Sequence, residues 1–92
     1  MKYNLVYYEE AKLDVVNAKL WYSIQQKDLD KRFAIAVKSA ILVLQNNPFL
    51  YQVKHKNIRI AHVKTFPYGV HFYVNNNQIV IVAILHHKKQ YY

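Results

Sequence analysis

The sequence has no cysteine among its 92 residues, which excludes disulfide frameworks, thiolate metal sites and cysteine nucleophiles, and fits a reducing compartment. Glycine occurs once and proline twice, so the chain is neither a flexible linker nor a low-complexity tail. No apolar run approaches the roughly 18 residues of a membrane span. Residues 1–10 lack the charged-then-apolar order of a signal peptide. These absences predict a cytoplasmic protein without membrane association. Acidic residues are also scarce: Glu9, Glu10, Asp14, Asp28 and Asp30 are all there are, and none follows Asp30.

What is present is a core and a surplus of positive charge. Hydrophobic residues make up 53% of the chain, enough for one small domain over residues 1–92. Thirteen basic side chains against five acidic give a formal charge of +8. The surplus is lopsided, because residues 47–92 carry six basic side chains, no acidic one and all five histidines. That half is expected to face a polyanion.

Hydrophobic periodicity gives the element order. Tyr3 to Tyr8 reads as a strand. From about Glu10, Ala11, Val15, Ala18 and Tyr22 form a helical stripe, and Leu13, Val16, Leu20 and Ile24 form a second one roughly opposite, which calls for two neighbours. Asp28 is the expected N-cap of a second helix running to about Gln45, with Leu29, Phe33, Ala36, Val37, Ala40 and Leu44 inward. Asn46, Asn47 and Pro48 stop it. After a loop at 51–56, period-two segments at Ile58–Thr65, Val70–Val74 and Ile79–His86 predict three strands. Ile79–Leu85 is apolar throughout and is expected to be central and covered on both faces. The fold class is therefore α+β: a strand, a helical hairpin, then a three-stranded antiparallel meander.

This ordered series resembles the RelE/ParE superfamily of bacterial toxins from type II toxin-antitoxin operons, and more closely its ParE-like branch. The residues that carry the resemblance are Glu10, Ala11, Asp14, Trp21 and Tyr22; Leu29, Phe33 and the stretch Leu44 to Pro48; Tyr51 and Arg59; Phe66, Pro67, Tyr68, Val70 and Tyr73; and Ile79, Ile81, Ala83, Ile84 and His86. One departure stands out. Where the family commonly has an arginine after a strand-ending histidine, this chain reads His86, His87, Lys88, Lys89, Gln90, Tyr91, Tyr92.

The resemblance implies a growth-inhibiting toxin neutralised by an acidic antitoxin, with one of two targets. A RelE-type toxin cuts messenger RNA on the ribosome by attack of a 2′-hydroxyl on the adjacent phosphate, without a metal or other cofactor. Such chemistry needs a base, an acid and cations beside the phosphorane. The candidates are Arg59, His86, His87, Lys89, Tyr91 and Tyr92 for catalysis or base stacking, and Lys54, Lys56, Lys64 and Lys88 for phosphates. A ParE-type toxin instead binds DNA gyrase without catalysis. A third reading is a basic nucleic-acid-binding relic. His62 and His71 fall inside strands, where packing roles are commoner, and the adjacent His86 and His87 would point to opposite faces, which disfavours a metal site. Ile35 and Leu42 lie seven apart, off the main stripe of the second helix, and are the expected antitoxin contacts.

Overall fold

The structure, a computed structural model, describes residues 3–89. Its elements run β1 (Asn4–Tyr7), α1 (Glu9–Gln25), α2 (Leu29–Asn46), a 3-10 turn at Pro48–Leu50, β2 (Val53–His55), β3 (Ile58–His62), β4 (Tyr68–Asn75) and β5 (Gln78–His86). The strands form one mixed sheet in the order β1-β5-β4-β3-β2. Among the described residues no helix is long and apolar enough to cross a membrane.

The expected α+β order of strand, helical hairpin and meander is present, with one more strand than the period-two runs marked. Val53–His55 in the expected loop pairs antiparallel with β3; three residues are too few for alternation to show. The turn after it is allowed by Lys56 at φ 52°, and Asn76 at φ 57° does the same between β4 and β5, a conformation Asn tolerates well. β5 lies between β1 and β4, while β4 holds the middle of the sheet. Ile79 to Ile84 are all buried, so both faces of β5 are covered as its sequence requires.

One face of the sheet packs against the helices through Phe33, Val37, Ile41, Leu44, Val70, Phe72, Ile79 and Ile81. Phe33 is fully buried, with ring contacts to Tyr22, Phe66 and Tyr68 at 5.2, 5.2 and 5.0 Å. Its truncation to alanine is expected to cost about 3–5 kcal/mol. Ile58, Val80, Val82 and Ala83 form a smaller cluster on the other, outer face.

Two expectations for the helices need correction. Asp28 does stand at the N-cap of α2, but at φ 65° its side chain makes no capping bond; its Oδ1 lies 3.5 Å from Lys31 Nζ instead. The left-handed backbone needed for the tight link from α1 turns the carboxylate away from the first-turn N–H groups. The second stripe of α1 has no neighbour. The main partners of α1 among the described residues, the helix α2 and strand β5, lie on the side of Ala11, Val15, Ala18 and Tyr22, and the opposite stripe faces solvent.

Candidate functional site

Alternation along β4 divides the chemistry of the basic half between two faces. Val70, Phe72 and Val74 point to the helices, so Gly69, His71 and Tyr73 point outward. The register sets His62 opposite Gly69 and Ile60 opposite His71. Just past β5, the His87 N–H donates to the Pro67 carbonyl at 2.9 Å, which brings the His87 ring over the outer face. There His62 Nδ1 and His87 Nε2 share a hydrogen bond at 3.2 Å. Gly69, the only glycine of the chain, makes room: a Cβ there would lie 2.7 Å from Ile60 Cγ2 and 3.4 Å from His87 Cε1.

Two histidines on this face, His71 and His87, have lowered pKa values. Burial lowers the pKa of His71, and the nearby His87 lowers it further. His87 is lowered by burial and then by His62 and His86. A neutral ring is required as acceptor in the His62–His87 bond, so a depressed pKa and that geometry agree. Among the described residues no group of three or more His, Asp or Glu is arranged to hold a metal ion.

His86 lies on the helix side. Its ring packs edge-on against Tyr68 at 5.4 Å, and its Nδ1 accepts the Lys88 N–H at 3.1 Å. It lines a hollow of about 170 Å³ with Asp14, Trp21, Tyr68 and Lys89. Asp14 is the polar anchor of that hollow: its Oδ2 accepts the Ile84 N–H at 2.9 Å. Burial raises the Asp14 pKa and Glu10 adds to the rise, against the opposing pull of the Ile84 N–H and Lys89. Neither Asp14 nor Gly69 is singled out as a site residue by the sequence: the signal for Asp14 is its place between the inward Ala11 and Ala18 of α1, and Gly69 gives none beyond its rarity.

Arg59 belongs to neither cluster. It sits on β3 opposite Phe72, with Nη1 donating to the Tyr51 carbonyl and the guanidinium 5.0 Å from the centre of the Phe49 ring. It lies three positions before His62, about 10 Å along a strand and on the opposite face. Its partners are a backbone carbonyl and an aromatic ring, which together fasten the 48–51 segment to the sheet.

The remaining candidates divide in the same way. Lys54 is exposed on β2, and Lys56, in the next turn, borders a hollow with Tyr8, Ile58 and Tyr73; both are at the β2–β3 end. Lys64 and Lys88 are exposed at the other end of β3, about 13 Å away by strand length. Ile35 and Leu42 are 66% and 45% exposed but line different grooves. Ile35 borders one of about 380 Å³ with Arg32, Val43, Tyr51, Lys64 and Phe66, and Leu42 borders one of about 360 Å³ with Leu5, Val15 and Lys38. Tyr91 and Tyr92 lie outside the described residues.

A small mixed five-stranded sheet with a helical hairpin on one face is the RelE/ParE-like fold anticipated from the sequence. The chain belongs to the ParE toxin family of type II toxin-antitoxin systems: the family model described as "ParE toxin of type II toxin-antitoxin system, parDE" matches residues 5–91. Among solved structures, the chromosomal ParDE toxin-antitoxin system from P. aeruginosa is similar with a TM-score of 0.80 and 15% identity, over 90% of this chain and 94% of that one. The E. coli DinJ-YafQ toxin-antitoxin complex is similar with a TM-score of 0.63 and 18% identity, over the full length of both chains. At these identities the likeness is one of fold. No curated protein sequence matches the chain.

Proposed function

We propose that this toxin acts by binding its target rather than by cutting RNA, with DNA gyrase as the target that the ParE-type resemblance implies. The observation that supports this is the distance of Arg59 from the other catalytic candidates among the described residues: His86 and Lys89 share a hollow with Asp14, and Arg59 does not line it. Arg59 is on the helix side and tied to Tyr51 and Phe49, whereas the His62–His87 pair is on the outer face and His86 is turned to Tyr68. In-line attack on one phosphate needs base, acid and cation within hydrogen-bond reach of the same few atoms. A binding surface has no such requirement and tolerates charge spread over two ends of a sheet.

The antitoxin is the second part of the reading. The two similar structures named above are described as a toxin-antitoxin system and a toxin-antitoxin complex, and the two grooves beside α2 carry apolar floors with cationic rims at Arg32, Lys64, Lys19 and Lys38. An acidic, apolar-studded segment laid along both would cover Ile35 and Leu42 and neutralise part of the +8 charge.

A ribosome-dependent endoribonuclease remains the second reading, favoured by the acid-free half with six basic side chains. One experiment separates the two. Purified toxin is added to a gyrase supercoiling reaction and, in parallel, to a translating extract whose messenger RNA 5′ ends are mapped. Lost supercoiling or trapped gyrase-DNA breaks with intact transcripts is the expected result. New codon-linked 5′ ends with unaffected gyrase would overturn the proposal.

A further inference from the structure

The apolar face of α1 is covered by nothing in the described chain. Leu13, Val16, Leu20 and Ile24 are 58%, 52%, 60% and 80% exposed, and at about 100° per residue all four lie within about 40° of Leu20. Their spacing of three, four and four residues is that of a helix-helix seam. Glu9 starts the same face, about 20° from Leu20 by the same count. Lys27 stands in the turn just past the end of α1.

Read from its N-terminal end, the face runs acid, Leu, Val, Leu, Ile, base. Its members pair about a common midpoint, since Glu9 with Lys27, Leu13 with Ile24 and Val16 with Leu20 are each centred near position 18. We propose that this face docks a second copy of the chain, α1 against α1 in antiparallel sense about a two-fold axis near position 18. Glu9 of each copy then meets Lys27 of the other, and the four apolar side chains interleave. A self-complementary patch of this kind closes with one partner and does not propagate.

Charge elsewhere on α1 is consistent with this occupant. Lys19 borders a hollow with Val16, Leu20, Ser23 and Asp30, so the one lysine near the axis shares that hollow with an acidic residue. Glu9 holds Lys12 at 3.2 Å in an exposed pair, which leaves its second oxygen for Lys27. The mutual repulsion of two +8 chains is screened beyond about 8 Å at physiological salt. From Leu13 to Ile24 the seam is about 16 Å long, short of the roughly 800 Å² per partner of a standard interface. The dimer is therefore weak and concentration-dependent, and it leaves the outer face with His62 and His87 open on both copies.

The test is sedimentation of the full chain, without antitoxin, at physiological salt from about 1 to 200 µM, a range that brackets a weak dimer. The wild-type mass is expected to rise from 11.0 kDa toward twice that value. Leu20→Glu is expected to stay at the monomer mass with an unchanged circular dichroism spectrum and melting midpoint, because the exposed Leu20 supports no core contact. Glu9→Lys and Lys27→Glu should each weaken the dimer about five-fold, the scale of two exposed ion pairs, and the double variant should restore it. A wild-type chain that stays monomeric throughout, or a folded Leu20→Glu chain that dimerises like wild type, overturns the proposal. The first of these outcomes assigns the stripe to a heterologous helix. A double variant no better than the singles overturns the antiparallel register.

Discussion

Asp14 on α1 accepts the backbone N–H of Ile84 on β5 at 2.9 Å, at the place where the sheet loses its neighbour. β1 pairs with β5 only as far as Tyr7 opposite Ile81. Between His71 and Phe72 of β4 the register jumps from Ala83 to Ile81, so Val82 is the extra residue of a bulge that reverses which groups of β5 face the β1 side. The Ile84 N–H then points toward α1, and the Asp14 carboxylate satisfies it.

Removing that carboxylate strands a part-buried donor. Asp14→Ala is expected to lower stability by about 1–3 kcal/mol, measured as the shift of a urea unfolding midpoint at constant slope. The pH response has a definite sign. The Asp14 pKa is raised in the fold, so its share of stability is full below the ordinary value of 3.8 and is lost as pH rises through the folded value. Asp14→Asn should therefore flatten this part of the stability curve, and an unaltered acid limb would refute the assignment.

The histidines have the opposite sign. His71 and His87 are held below the ordinary 6.5, so the stability they confer is full above 6.5 and falls away as pH drops through their folded values. Ring-proton NMR titrations should give midpoints below 6.5 for both. His62→Gln should move the His87 midpoint upward, because a cation that competes with it is gone. A His87 midpoint indifferent to that change would count against the pair.

Arg59 is predicted to behave as a fastener. Arg59→Ala should destabilise the domain by about 1–3 kcal/mol, from the lost bond to Tyr51 and the lost contact with Phe49. Arg59→Lys should recover only part, since an ammonium lacks the planar fork. If toxicity disappears while stability is unchanged, Arg59 belongs to the target-binding surface instead.

Gly69→Ala should cost about 1–3 kcal/mol through the close approach to Ile60. In the Ile60→Ala background the same change should cost clearly less. The coupling is read from a double-mutant cycle of unfolding free energies. Strict additivity would mean that Ile60 is not what excludes a side chain at position 69.

Ile35→Glu and Leu42→Glu probe the antitoxin. Because the two residues line separate grooves, each should weaken antitoxin capture, and the losses should add to within about 0.3–0.5 kcal/mol. Titration calorimetry with the cognate antitoxin measures both. A neutral Leu42→Glu would restrict the bound segment to the groove with Arg32 and Lys64.

By itself the sequence determined the quantities that follow from local pattern. Periods of 3.6 and 2 located both helices and β3 to β5, and the all-apolar run at Ile79–Leu85 announced a strand covered on both faces. The missing acids after Asp30 marked the basic half. β2 escaped because three residues carry no readable alternation, and the φ of Asp28 escaped because a link's backbone is set by the helices it joins. Only the tertiary structure decided what lies on which face. Register put Arg59 behind the sheet and His62 in front of it, the Val82 bulge turned the Ile84 N–H toward Asp14, and the passage of His87 over Gly69 made a histidine pair from residues twenty-five apart. Sequence spacing fixes a side chain's direction within its own element. Which elements stand side by side is set by burying the largest apolar area at once, and that is a property of the whole chain.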